Sequence, residues 1–195
     1  MTPVLLLHGG LFEAMDADRF WVRPGVADGL VEAGFDLVAP DRLTRASSWI
    51  EEADHIASLV TERPHTVVAG SNGCSVGARL AIDHPDLVSR LVLCWPATAG
   101  DPEVDLLQAE AGPLLEGETL RGATDRELAT LAVPVAIIPA EPANPFHQAR
   151  TVAALCRLLP LAVVAEGFPE TPRPEFPQRR HAFLKTLIRL LAESG

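Results

Sequence analysis

The sequence is short of cysteine, of positive charge and of long apolar runs. Its three cysteines, Cys74, Cys94 and Cys156, are widely spaced among apolar or small neighbours. That spacing gives neither a metal motif nor a disulfide framework, and a reducing cytoplasm suits it best. Lysine and arginine total 16 against 26 acidic residues, a formal net charge of −10. Such a chain repels phosphate backbones, which argues against nucleic acid or an anionic membrane as partner. No segment approaches the ~18 consecutive apolar residues that cross a bilayer. The start, "MTPVLLLHGG", lacks a basic region and runs straight into a strand-like stretch, so no signal peptide is expected.

What is present is a chain of 195 residues, 48 % hydrophobic and 22 % charged. That length and composition suit one globular domain over 1–195 with a substantial core. Apolar runs recur at 4–7 (VLLL), 35–39 (FDLVA), 66–69 (TVVA), 90–95 (RLVLCW), 135–138 (VAII) and 161–165 (LAVVA). Continuous apolarity marks strands buried on both faces, as in a parallel sheet. Helical patterns lie between them. Ser48 with Glu51 and Thr124 with Glu127 form capping boxes, and Pro24 and Pro177 suit first-turn positions. The stretches 148–159 and 179–191 carry apolar residues at three- and four-residue spacing. The expected fold class is α/β, a three-layer sandwich with a mostly parallel sheet of about six strands flanked by helices. The prolines of "GFPETPRPEFP" (167–177) predict a stiff, extended loop.

"TVVAGSNGCSVG" (66–77) ends a strand and opens a helix around Ser71. A serine at that bend lies at the carboxyl edge of the sheet, and Ala69 and Gly73 are the small residues a sharp turn requires two before and two after it. This is the pattern of a nucleophile elbow, with alanine replacing the first glycine. A serine at a helix start is otherwise an ordinary turn residue. Gly70, Gly73 and Gly77 read as a dinucleotide-binding set are less consistent. The turn follows the third strand, not the first, and "LVLCWP" has no acid for a ribose.

Four segments in order resemble the α/β-hydrolase fold. They are "VLLLHGG", "GFDLVAPDR", "SNGCSVGARLAIDHPDLVSRLVLCWP", which opens with the elbow and has the Ser71-to-Pro85 offset, and "VPVAIIPAEPANP". The resemblance covers the whole chain as a minimal version that begins at the family's third strand. It implies Ser71 as nucleophile and the backbone N–H groups of Gly10 and Asn72 as oxyanion hole. It also implies hydrolysis of an ester or related acyl bond of a small molecule, with no cofactor and no metal.

The resemblance places an acid after the penultimate strand and a histidine after the last, and this chain has neither there. Ala143 and Asn144 stand near the acid position, and Phe168 stands where histidine is expected. Among the six histidines, His8 supports the glycine turn, while His55, His65 and His84 are expected to face solvent or cap helices. His147 and His181 remain. His147, in the loop after "VAII", shares the sheet edge of Ser71 and is taken as general base; His181, inside the last helix, is expected to pack or face water. The orienting acid is Glu141, Asp101 or none. Cys74 should be a small buried hydrophobe, and Trp95 serves either pocket or core. Segment 97–130 has room for one or two short helices, so a fairly open site is expected. The alternative is a hydrolase-fold protein without hydrolytic activity that binds or transforms a small ligand non-covalently.

Overall fold

Successive side chains of a strand point to opposite faces, and here both faces need apolar residues. In the computed structural model, which describes residues 3–11, 15–60 and 63–192, β1 (Val4–Leu7) sends Leu5 and Leu7 to one face and Val4 and Leu6 to the other. The remaining strands are β2 (Leu37–Val38), β3 (His65–Gly70), β4 (Val88–Cys94), β5 (Val135–Ile138) and β6 (Ala162–Val164). They join in a six-stranded sheet of order β2-β1-β3-β4-β5-β6. Every pairing is parallel.

Helices α1 (Val26–Glu32) and α7 (Phe176–Ala192) cover the face that carries Val4, Leu6, Val68 and Val92. On the opposite face lie α2 (Trp49–Leu59), α3 (Gly73–Asp83), α5 (Asp125–Leu128) and α6 (Ala149–Leu158), packed on Leu5, Leu7, Val67 and Leu91. The fold class is therefore as expected. Ser48 accepts from the Glu51 N–H, and Thr124 with Glu127 closes a reciprocal capping box. Among the described residues no helix is long and apolar enough to cross a membrane.

The differences have local causes. The stretch 35–39 yields only two ladder residues, because β2 is an edge strand and Pro40 follows with no N–H to extend it. Pro24 lies ahead of α1 instead of in its first turn, where Gly25 takes the N-cap position at φ +76°. Segment 97–130 forms α4 (Pro102–Leu107), a kinked 3₁₀ stretch (Ala109–Leu115) and α5. It closes over the sheet edge more than expected: Ser71 and His147 are each only 6 % exposed.

Candidate active site

Ser71 directly follows β3, at φ +54°. That left-handed conformation costs a non-glycine residue about 1–3 kcal/mol and recurs at functional turns. Its N–H donates to the Cys94 carbonyl (2.9 Å), and its own carbonyl accepts from Cys74 N (3.0 Å) as α3 begins. The small residues around it have steric reasons. A Cβ on Gly73 would sit 2.6 Å from the carbonyl oxygens of both Leu7 and His8, and one on Gly9 would sit 2.9 Å from Ser71 Cβ. Phe20, from the short helical turn Asp18–Val22, fills the space beside Gly9 and Gly70.

The glycine turn "HGG" is held from behind. Arg42 Nη1 donates to the carbonyls of His8 (3.0 Å), Gly9 (3.3 Å) and Gly10 (3.0 Å). Its Nε and Nη2 reach Glu52 at 3.2 and 2.9 Å, in an ion pair whose side chains are 3 % and 2 % exposed. The His8 ring ties the same turn, with Nδ1 2.7 Å from Gly9 O and Nε2 accepting from Arg42 N at 2.9 Å. Burial, then Arg42, lowers its pKa, which keeps the ring neutral. A trans peptide points its N–H opposite its C=O. Pinning the Gly9 carbonyl to Arg42 therefore turns the Gly10 N–H to the other side of the loop. Among the described residues, neither the Gly10 nor the Asn72 backbone N–H donates to an acceptor.

His147 reaches Ser71 across β4. The loop that follows β5 turns on Asn144, whose Oδ1 accepts from Phe146 N (3.0 Å) and whose carbonyl accepts from His147 N (3.0 Å). Thr98 N donates to Phe146 O (2.7 Å), which fastens this loop to the one after β4. The result is Ser71 Oγ 2.9 Å from His147 Nε2.

The acid at the other ring nitrogen is neither of the two candidates from the sequence. Glu141 is exposed at the protein surface. Asp101 caps α4 by accepting from Glu103 N and Val104 N, and it also engages Gln148 and Arg150. Instead Glu170 places Oε2 3.3 Å from His147 Nδ1, a charge contact without the alignment of a hydrogen bond. Glu170 comes from the proline-rich loop after β6, which is folded into turns rather than extended: Arg173 N donates to Glu170 O at 2.9 Å. His147 thus stands in the loop where the resemblance places the acid, and Glu170 stands in the loop where it places the histidine. The available signal was a carboxylate two residues past Phe168, itself buried in the core.

Burial, then Arg173 and Arg121, lowers the His147 pKa to about 4. The ring is therefore neutral near pH 7, and the Glu170 carboxylate favours the tautomer with its proton on Nδ1. That leaves the Nε2 lone pair toward Ser71. His181 is exposed on α7, and His84 pairs with Asp54 at 2.8 Å. His65 differs from expectation: it is 1 % exposed beneath the amino edge of the sheet, and burial lowers its pKa. Cys74 is buried with its thiol pKa raised by desolvation, and Trp95 is core, stacked on Phe183 at 5.2 Å.

Ser71, Asn72, His147, Glu170, Arg121 and Arg173 line one cavity of about 270 Å3. Among the described residues no cluster of histidine, cysteine and acidic side chains could hold a metal ion.

No protein-family model matches the chain, and no curated protein sequence matches it. Solved structures do. The meta-cleavage product hydrolase CumD of Pseudomonas fluorescens IP01 superposes with a TM-score of 0.77 at 15 % identity, covering 100 % of this chain and 92 % of that one. A serine hydrolase, CCSP0084, from the polyaromatic hydrocarbon-degrading bacterium Cycloclasticus zankles gives 0.70 at 16 % identity, covering 98 % and 90 %. The α/β-hydrolase MGS-MChE2, from a metagenome of lagoon sediments of Mar Chica, Morocco, gives 0.70 at 18 % identity, covering 98 % and 92 %.

Proposed function

The protein has the α/β-hydrolase fold, and from that premise we propose that it is a serine hydrolase acting on an ester or related acyl bond of a small molecule. One observation carries the proposal: the 2.9 Å contact between Ser71 Oγ and a buried His147 whose ring is neutral. A neutral serine needs such a base to attack a carbonyl.

In the proposed reaction Ser71 Oγ bonds to the carbonyl carbon as its proton passes to His147 Nε2. The carbonyl electron pair moves onto oxygen, which accepts hydrogen bonds from the Asn72 and Gly10 N–H groups. Each such donor is worth about 10²–10³ in rate. Glu170 stabilises the imidazolium. The leaving group departs with the proton from Nε2, and acyl-Ser71 remains. Water then attacks the acyl carbon, gives its proton to the same nitrogen, and the acid is released as Ser71 recovers its proton. No step calls for a cofactor or metal, and the expected partner is the small substrate alone.

A fluorophosphonate probe read by intact mass is the test. Wild type should gain one label, and both Ser71→Ala and His147→Ala should lose it while His181→Ala retains it. An unlabelled wild type that is fully folded would instead favour a ligand-binding protein on a hydrolase fold.

A further inference from the structure

The protein carries a net charge of −10, yet two arginines line its candidate active-site cavity. Arg121 and Arg173 each face one carboxylate, Asp105 at 3.3 Å and Glu170 at 3.5 Å, so the two pairs balance formally while His147 is neutral. Arg121 is 1 % exposed. Three of its contacts go to acceptors within the protein: Asn72 Oδ1 (3.1 Å), Gln108 Oε1 (2.8 Å) and Asp105 Oδ1 (3.3 Å). A guanidinium has five N–H donors, and its Nε is buried with no partner among the described residues. Asp105 balances the charge, but a buried donor left without an acceptor is costly. Arg173 lines the same cavity, with Nε 3.5 Å from Glu170 Oε2.

We infer that Arg121 and Arg173 select a substrate bearing a carboxylate close to its reacting acyl carbon, so that the natural substrate is a short anionic ester rather than a neutral one. This rests on the serine-hydrolase reading and names the substrate class for the same site. The cavity, about 270 Å3, holds a compact acyl group. Asn72 supplies a candidate oxyanion N–H from its backbone and holds Arg121 with its side chain, so the bound anion and the reacting carbonyl lie on one rigid turn. Arginine suits this task because its planar donors match a carboxylate better than the point charge of lysine does.

The experiment compares kcat/KM for the p-nitrophenyl monoester of glutaric acid with that for p-nitrophenyl valerate, a neutral ester of the same acyl length. Wild type should favour the anionic ester by about ten-fold or more, as charge-assisted contacts allow. Arg173→Met, at a side chain 46 % exposed, should cut that ratio by about five-fold or more through KM for the anionic ester. Arg121→Lys keeps the charge but not the fork, and should cut it as well; a melting curve shows whether either variant has lost its fold. Equal rates on both esters in wild type, or a ratio unmoved in folded Arg173→Met and Arg121→Lys, would overturn the inference. If neither ester turns over, the hydrolase reading fails separately. Calorimetric binding of glutarate, weakened in Arg173→Met, would then uphold the anion site, and no binding would remove it.

Discussion

Replacing Glu170 with glutamine keeps the shape of the loop and removes one charge. In the resting protein the neutral His147 has little need of that charge. In the proposed attack the ring becomes an imidazolium whose Nδ1 lies 3.3 Å from Glu170 Oε2. At an effective dielectric constant of about 20, one pair of charges at that distance is worth about 5 kcal/mol. Residual exposure of the carboxylate (13 %) and its shared contact with Arg173 reduce the usable part. About 3–4 kcal/mol is a reasonable net loss, which corresponds to about 10²–10³ in rate. The loss should fall on kcat, since the charge acts when the proton moves. Steady-state hydrolysis of a p-nitrophenyl ester measures it, with a melting curve to exclude unfolding. A folded Glu170→Gln enzyme within three-fold of wild-type kcat would show that the carboxylate at 3.3 Å does not serve the base.

The acid limb of kcat/KM should lie below the ordinary histidine value of 6.5 and tend toward about 4, because the base must be unprotonated and burial favours that form. Hydrolysis should therefore persist near pH 5.5, and Arg173→Met, which removes a repelling cation, should move the limb upward. A wild-type midpoint at or above 6.5 would contradict this. Arg42→Met strips three carbonyls of the glycine turn of their donor and strands the buried Glu52 carboxylate. Breaking such a pair costs about 3–5 kcal/mol, a fall in Tm of about 6–20 °C for a chain this size, and calorimetry would detect it; an unchanged Tm would not fit.

The sheet could be read from the sequence because the inner strands β1, β3, β4 and β5 had to be apolar on both faces, a pattern that local residue type fixes. The elbow was readable for a related reason: only small residues fit where α3 passes the carbonyls of Leu7 and His8. His147 could be singled out by sheet edge alone. Glu170 was not, since its position depends on how a proline-rich loop turns, and proline forbids regular structure without saying which way the chain bends. Arg121 comes from an irregular segment and left no pattern. Glu52 did leave one, for it sits with Trp49, Ala53 and Ile56 on the buried side of α2. A carboxylate in an apolar stripe needs a partner, and Arg42 in the "PDR" ending is that partner.

The crossed placement of His147 and Glu170 matters for how relatives are sorted. Surveys that scan for serine, then acid, then histidine compare positions along a string, whereas chemistry compares positions in space. Two adjacent loops with their residue types crossed keep Ser71, His147 and Glu170 together in space while breaking that order along the string, so such a survey would pass over this chain.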